Sequence, residues 1–147
     1  MTLVSARALR RVLVDTSGYF ALLNTRDAKH GPAKAVAERL ADESVRQFTT
    51  NAILFETHAL ILTKIGRHVA RRFLEDLLQS ATIVVRVAAR DEQRAFVLIG
   101  QYDDKNFSFT DALSFAVMER LRISTAFTFD RNFTQYGLAV LPKGGDA

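Results

Sequence analysis

Short, wholly apolar runs alternate along this chain with longer stretches of helical spacing, and that alternation limits the folds open to it. Runs such as Val12-Leu13-Val14 show no polar alternation, the mark of strands covered on both faces. The pattern predicts strands at Arg11–Asp15, Gln47–Thr50, Thr82–Val87, Thr125–Phe129 and Leu138–Leu141. Between them it predicts helices at Tyr19–Leu23, Ala33–Ala41, Asn51–Ile65, Arg67–Gln79, Ala89–Tyr102 and Ser108–Leu121. Asn51 suits an N-cap, Gly66 a helix stop, and Ser108 to Asp111 a capping box. Asp130 to Tyr136 reads as a turn or a single helical turn. Strands and helices in this order build a three-layer α/β/α fold around a mostly parallel sheet. The 147 residues are expected to form one domain, with a core from about Val12 to Leu141 and a frayed end from Lys143 to Ala147.

Composition closes several functional classes. No run of about 18 apolar residues could span a membrane. Arg7, Arg10 and Arg11 are followed by only Val12-Leu13-Val14 before Asp15, too little for a signal peptide. A cytoplasmic protein without membrane contact is the expectation. The chain has no cysteine, which excludes disulfides, thiolate zinc sites and a cysteine nucleophile. His30, His58 and His68 are scattered, with no zinc-binding spacing. Walker-A, dinucleotide-binding and nucleophile-elbow motifs are absent. The net charge is +4, and Arg supplies 15 of the 20 basic residues. That balance favours a polyanionic partner such as nucleic acid, although genome composition explains it equally well.

Four acids stand out by position. Asp15 and Asp130 each follow a buried strand, and open α/β sheets bind ligands at the carboxyl ends of strands. Either could equally be a cap for the segment that follows. Asp111 lies in the first turn of a helix, three residues after Ser108, where capping alone would explain it. Glu56 interrupts an apolar helix, with Ile53, Ala59 and Leu60 as its helical neighbours. An ionised carboxylate on such a face needs a salt bridge or a metal. Four acids brought together would repel one another and raise each other's pKa values unless a cation joined them. Hard oxygen donors suit Mg²⁺ or Mn²⁺, which serve phosphodiester hydrolysis.

The strings LVDTSGYFALLN, TTNAILFETHALI, FSFTDALSFAVMERLRI and TAFTFDRNF, in this order, resemble the PIN-domain nucleases, and most closely the VapC-type toxins of toxin–antitoxin pairs. The resemblance runs from Val12 to about Leu141. It implies that Asp15, Glu56, Asp111 and Asp130 are the metal-binding acids of a Mg²⁺- or Mn²⁺-dependent endoribonuclease. It also implies an RNA substrate, a homodimer and a small antitoxin whose tail enters the site. Thr16, Ser17, Thr110 and Thr128 flank the acids, where their hydroxyls could orient carboxylates. Asn132 stands where relatives often carry an acid or His, which leaves Asp130 alone to serve there. Of the four acids, Asp130 is expected to lie furthest from the metal or to act through water. The other reading is a PIN-like module that binds RNA or protein without cutting. A phosphatase nucleophile pair is missing, since Ser17 stands where a second Asp belongs.

Three further features remain open to two readings. Arg67, His68, Arg71 and Arg72 form a stripe that could track an RNA backbone or be a solvated helix face. Arg131 could meet a substrate phosphate or the antitoxin. Phe107, Phe109, Phe115, Phe127, Phe129 and Phe133 read as core rather than as base-stacking platforms.

Overall fold

A computed structural model describes Leu9 to Lys143, so the expected C-terminal fraying falls outside the described residues from position 144 onward. The elements are β1 (Arg11–Val14), α1 (Thr16–Leu23), α2 (His30–Asp42), β2 (Arg46–Thr50), α3 (Asn51–Lys64) and α4 (Arg67–Gln79). There follow β3 (Ile83–Val85), α5 (Ala89–Gln101), α6 (Phe109–Leu121), β4 (Thr125–Phe127), α7 (Arg131–Tyr136) and β5 (Ala139–Leu141). The sheet has the order β3-β2-β1-β4-β5, and every pairing is parallel. Leu13 stands opposite Phe48 on one side and Ala126 on the other, which puts β1 at the centre.

The strand period of two divides β1 between two cores. Leu13 packs with Ile53 at the start of α3 and with Leu98, Phe115, Met118 and Phe133 from α5, α6 and α7. Val12 and Val14 pack with Ala21, Ala33, Val36 and Leu40, the layer of α1 and α2. A third cluster of Ile61, Ala70, Phe73 and Leu77 locks α3 to α4. These layers make the three-layer α/β/α fold expected from the sequence. Helix α6 is buried without interruption from Ala112 to Met118, as a helix enclosed on all sides must be. Asp91 on α5, only 1% exposed, accepts two 2.8 Å hydrogen bonds from the Arg120 guanidinium on α6. Burial pushes the Asp91 carboxyl up, but the bonds from Arg120 and the Ala88 N–H, with the guanidinium charge, outweigh it and hold it below the usual range.

Several boundaries differ from those the sequence predicts. Helix α1 begins at Thr16 rather than Tyr19, and α2 begins at His30. Pro32 falls within the first turn of α2, where its missing N–H is not needed. Thr50, not Asn51, caps α3 by accepting from the Ile53 N–H at 3.0 Å. Asn51 instead accepts from the Val87 N–H at 2.9 Å. Strand β3 is three residues long and β4 stops at Phe127. No helix among the described residues is long and apolar enough to cross a membrane.

Candidate active site

The strand order reverses at β1, with β2 and β3 to one side and β4 and β5 to the other. At such a switch point the connections leave in opposite directions and open a crevice at the carboxyl ends of the strands. Here the ends are those of β1 and β4. A cleft of about 360 Å³ opens there, lined by Asp15, Glu56, Asp111 and Asp130 together with Asp27 and Lys29. All four acids singled out from the sequence therefore face one cavity, delivered by β1, α3, α6 and the β4–α7 junction.

Asp15 is 4% exposed. It occupies the N-cap position of α1 but its side chain makes no capping bond, so the carboxylate is not consumed by helix capping. Thr128 donates its hydroxyl to Asp15 Oδ2 at 3.0 Å, and Ser17 donates to the same oxygen at 3.2 Å. These hydroxyls are fixed in turn. Ser17 Oγ accepts from the Phe129 N–H at 2.8 Å, and Thr128 Oγ1 from the Asp130 N–H at 3.0 Å. Burial pushes the Asp15 carboxyl up to about 6, against the hydrogen bonds from Thr128 and the Thr16 N–H and with help from the charges of Asp111 and Asp130.

Asp130 and Asp111 serve helix ends as well as lining the cleft. Asp130 Oδ1 accepts from the Asn132 N–H at 2.9 Å, capping α7. Burial raises the Asp130 carboxyl, the Asn132 N–H opposes this, and the charges of Asp111 and Glu56 add to the rise. Asp111 closes the predicted capping box with Ser108, at 3.0 and 3.1 Å. Its Oδ2 also accepts from the Asn132 side-chain amide at 2.9 Å. Asn132 therefore ties Asp111 to Asp130, through its side chain to one and its backbone to the other.

Glu56 corrects the argument made from its sequence neighbours. It is solvent-exposed, as is Ala59, and the adjacent Phe55 is 61% exposed. The apolar face inferred around Glu56 is thus turned partly to solvent, and the buried stripe of α3 is Ile53, Thr57 and Ile61 instead. Glu56 has no cationic partner among the described residues. Thr16 donates to its Oε1 at 2.7 Å, and the buried Thr57 donates to Thr16 at 3.2 Å.

Thr16, Ser17 and Thr128 thus all bond to acids of the cleft, whereas Thr110 makes no side-chain bond to them among the described residues and does not line the cavity. Sequence reasoning missed Thr57, Lys29 and Asp27, for which no motif gave a signal. Arg71 and Arg72 pair with Glu75 and Asp76 one turn along α4, as on a solvated face. Arg131 is exposed and lies outside the cavity lining. Phe107, Phe115, Phe127 and Phe133 are core, but Phe109 is 45% exposed and the half-buried Phe129 lines the cleft.

Residues 12–138 match the PIN domain family. The chain belongs to the PIN-domain family. VapC proteins are among its relatives there. It is 35% identical over 126 residues to the 23S rRNA-specific endonuclease VapC20 of Mycobacterium tuberculosis, covering 86% of this chain and 94% of that one. It is 30% identical over 125 residues to the VapC ribonuclease of Archaeoglobus fulgidus, covering 83% and 78%. The crystal structure of M. tuberculosis VapC20, described as a sarcin–ricin loop cleaving toxin, matches with a TM-score of 0.79 at 34% identity, covering 87% of this chain and 96% of that one. VapBC2 of Rickettsia felis, solved with a promoter DNA fragment, matches with a TM-score of 0.66 at 13% identity over 88% and 96%, a likeness of fold alone.

The PIN-domain cleft suits a divalent cation in its donor chemistry. Its acids supply only hard oxygen donors, and burial plus neighbouring negative charge disfavours ionised Asp15, which a cation would relieve. Among the described residues, no three Asp, Glu or His side chains stand close enough to share an ion as placed. Hydrogen bonds instead hold Glu56 to Thr16, and Asp111 to Ser108 and Asn132.

Proposed function

We propose that this PIN-domain chain is the toxin ribonuclease of a VapBC-type pair and hydrolyses RNA phosphodiester bonds with Mg²⁺ or Mn²⁺ held by Asp15, Glu56, Asp111 and Asp130. The observation that carries the reading is the convergence of these four acids, from four separate elements, on one cleft at the switch point. When bound, the ion supplies positive charge for the phosphate oxygens and lowers the pKa of an attacking water. The chain's own residues orient the chemistry. Thr128 and Ser17 fix the Asp15 carboxylate, Thr16 fixes Glu56, and Asn132 fixes Asp111. Asp130 spends one oxygen on capping α7, which supports a place for it at the edge of the ion's shell.

In the reaction, water oxygen adds to phosphorus and the bond from phosphorus to O3′ breaks. The hydroxyl of the water stays on phosphorus, and its other proton, taken up by the carboxylate cluster, passes to O3′, which leaves as the 3′-hydroxyl. The other product carries a 5′-phosphate. The 23S rRNA specificity of VapC20 makes 23S rRNA the first substrate to test here. An antitoxin partner, a homodimer and a cytoplasmic location complete the proposal. The exposed apolar side chains Phe96, Val97 and Ile99 on α5 support an assembly with another protein surface.

The test is incubation of the purified protein with 23S rRNA in Mg²⁺ or Mn²⁺, with and without chelator, and mapping of the cut ends. Cleavage that stops in chelator and leaves 5′-phosphates is expected. Equal cleavage in chelator, or 2′,3′-cyclic phosphate ends, would overturn the reading.

A further inference from the structure

Among the described residues, five carboxylates line the cleft, Asp15, Asp27, Glu56, Asp111 and Asp130, and one cationic side chain lines it with them, Lys29. An ion held by the acids would attract the phosphate at the reacting centre, and Lys29 is the protein's own cation on the cleft wall to meet another part of an RNA strand. Among the described residues, Lys29 forms no ion pair with any of the five acids. Its Nζ stands over the ring of Phe129, 5.2 Å from the centroid. The attraction between an ammonium and an aromatic face holds the group in place without neutralising it. The full positive charge therefore remains available to an anion in the cleft.

The backbone beneath Lys29 is fixed as well. Asp27 Oδ1 accepts from the Lys29 N–H at 2.8 Å, and the Asp27 carbonyl accepts from the His30 N–H at 3.0 Å. His30 Nδ1 lies 3.0 Å from the Ala21 carbonyl oxygen, which ties the loop to α1. The Phe129 N–H bonds to Ser17, the residue that also donates to Asp15. The ammonium and the carboxylate cluster are thus placed by one connected network. Little ordering remains to be done when a ligand arrives, which favours binding.

We propose that Lys29 binds the phosphate next to the scissile one and so seats the RNA strand across the carboxylates. The inference rests on the ribonuclease reading above and adds to it a residue that contacts substrate outside the acid cluster. A lone ammonium reads charge, not base identity, so the contact sets affinity and register without choosing sequence.

The experiment measures cleavage of one short RNA spanning the cut site, over a series of salt concentrations, by wild type, Lys29→Met and Lys29→Arg. Loss of one phosphate contact should raise KM about tenfold in Lys29→Met, with kcat within about twofold of wild type. The slope of log KM against log salt should fall by about 0.7, the share of one phosphate on a single strand. Lys29→Arg keeps the charge and should stay near wild type in both. Wild-type KM and slope in Lys29→Met would overturn the inference while leaving the ribonuclease reading intact. Equal impairment of Lys29→Arg and Lys29→Met would also overturn it, by showing a structural role. Absence of cleavage by wild type itself would overturn both.

Discussion

Ionised Asp15 is held where burial and two neighbouring acids disfavour its charge, with its carboxyl pushed up to about 6. An unstructured Asp titrates near 3.9. Between those values the native state binds more protons than the unfolded chain, so stability falls as pH rises through that window. Above it the group opposes folding by something on the order of 3 kcal/mol, at about 1.4 kcal/mol per unit. Asp15→Asn should therefore unfold at higher urea than wild type in chelator at pH 7.5, with the difference shrinking toward pH 4. Urea titrations at the two pH values check this, and an equal difference at both would count against it. The motifs single out four acids, and the fold brings all four to one cleft. The reason offered for Glu56 was not sound, because α3 turns that side to the cleft and solvent and buries Thr57 instead. Lys29 was illegible because a loop lysine carries no periodicity, and only the folded chain brings it over Phe129.

Helix α1 carries the site residues Thr16 and Ser17, and its seat against β4 is set by Gly18. A Cβ at Gly18 would stand 2.8 Å from the Phe127 carbonyl oxygen and 3.2 Å from its ring. That oxygen also accepts from the Asp15 N–H at 3.0 Å, so β4 cannot retreat without disturbing the carboxylate. Gly18→Ala should cost roughly 1–3 kcal/mol by overpacking and reduce RNA cleavage as well. Denaturant midpoints and initial rates check both. A change under about 0.5 kcal/mol would show that the contact yields freely. Most helices and all five strands were legible because their apolar periods are strong. The ends were less so. Thr50 and Asn51 are both good capping residues, and only the position of the Val87 N–H decides that Asn51 faces another strand end. Phe129 read as strand core, yet the chain leaves the sheet after Phe127 and exposes that ring to the cleft.

At the scale of the whole molecule, the parallel three-layer arrangement followed from alternating strands and helices, but the strand order did not. Nothing in local spacing says that β4 pairs with β1 rather than with β3, because that choice depends on which helices cover which face. The order β3-β2-β1-β4-β5 places the carboxyl ends of β1 and β4 side by side, and residues 113 positions apart, Asp15 and Thr128, become hydrogen-bonded neighbours. A fold so arranged concentrates negative charge at one end of its central strands, as a cation site for nucleic-acid hydrolysis requires. The direct measurement is the rate of RNA cleavage in Mn²⁺ by wild type, Asp15→Asn, Glu56→Gln, Asp111→Asn and Asp130→Asn, each first shown to fold by circular dichroism. The account predicts losses of more than about 100-fold for Asp15→Asn, Glu56→Gln and Asp111→Asn, and a smaller loss for Asp130→Asn. Cleavage by folded Asp15→Asn at the wild-type rate would contradict it.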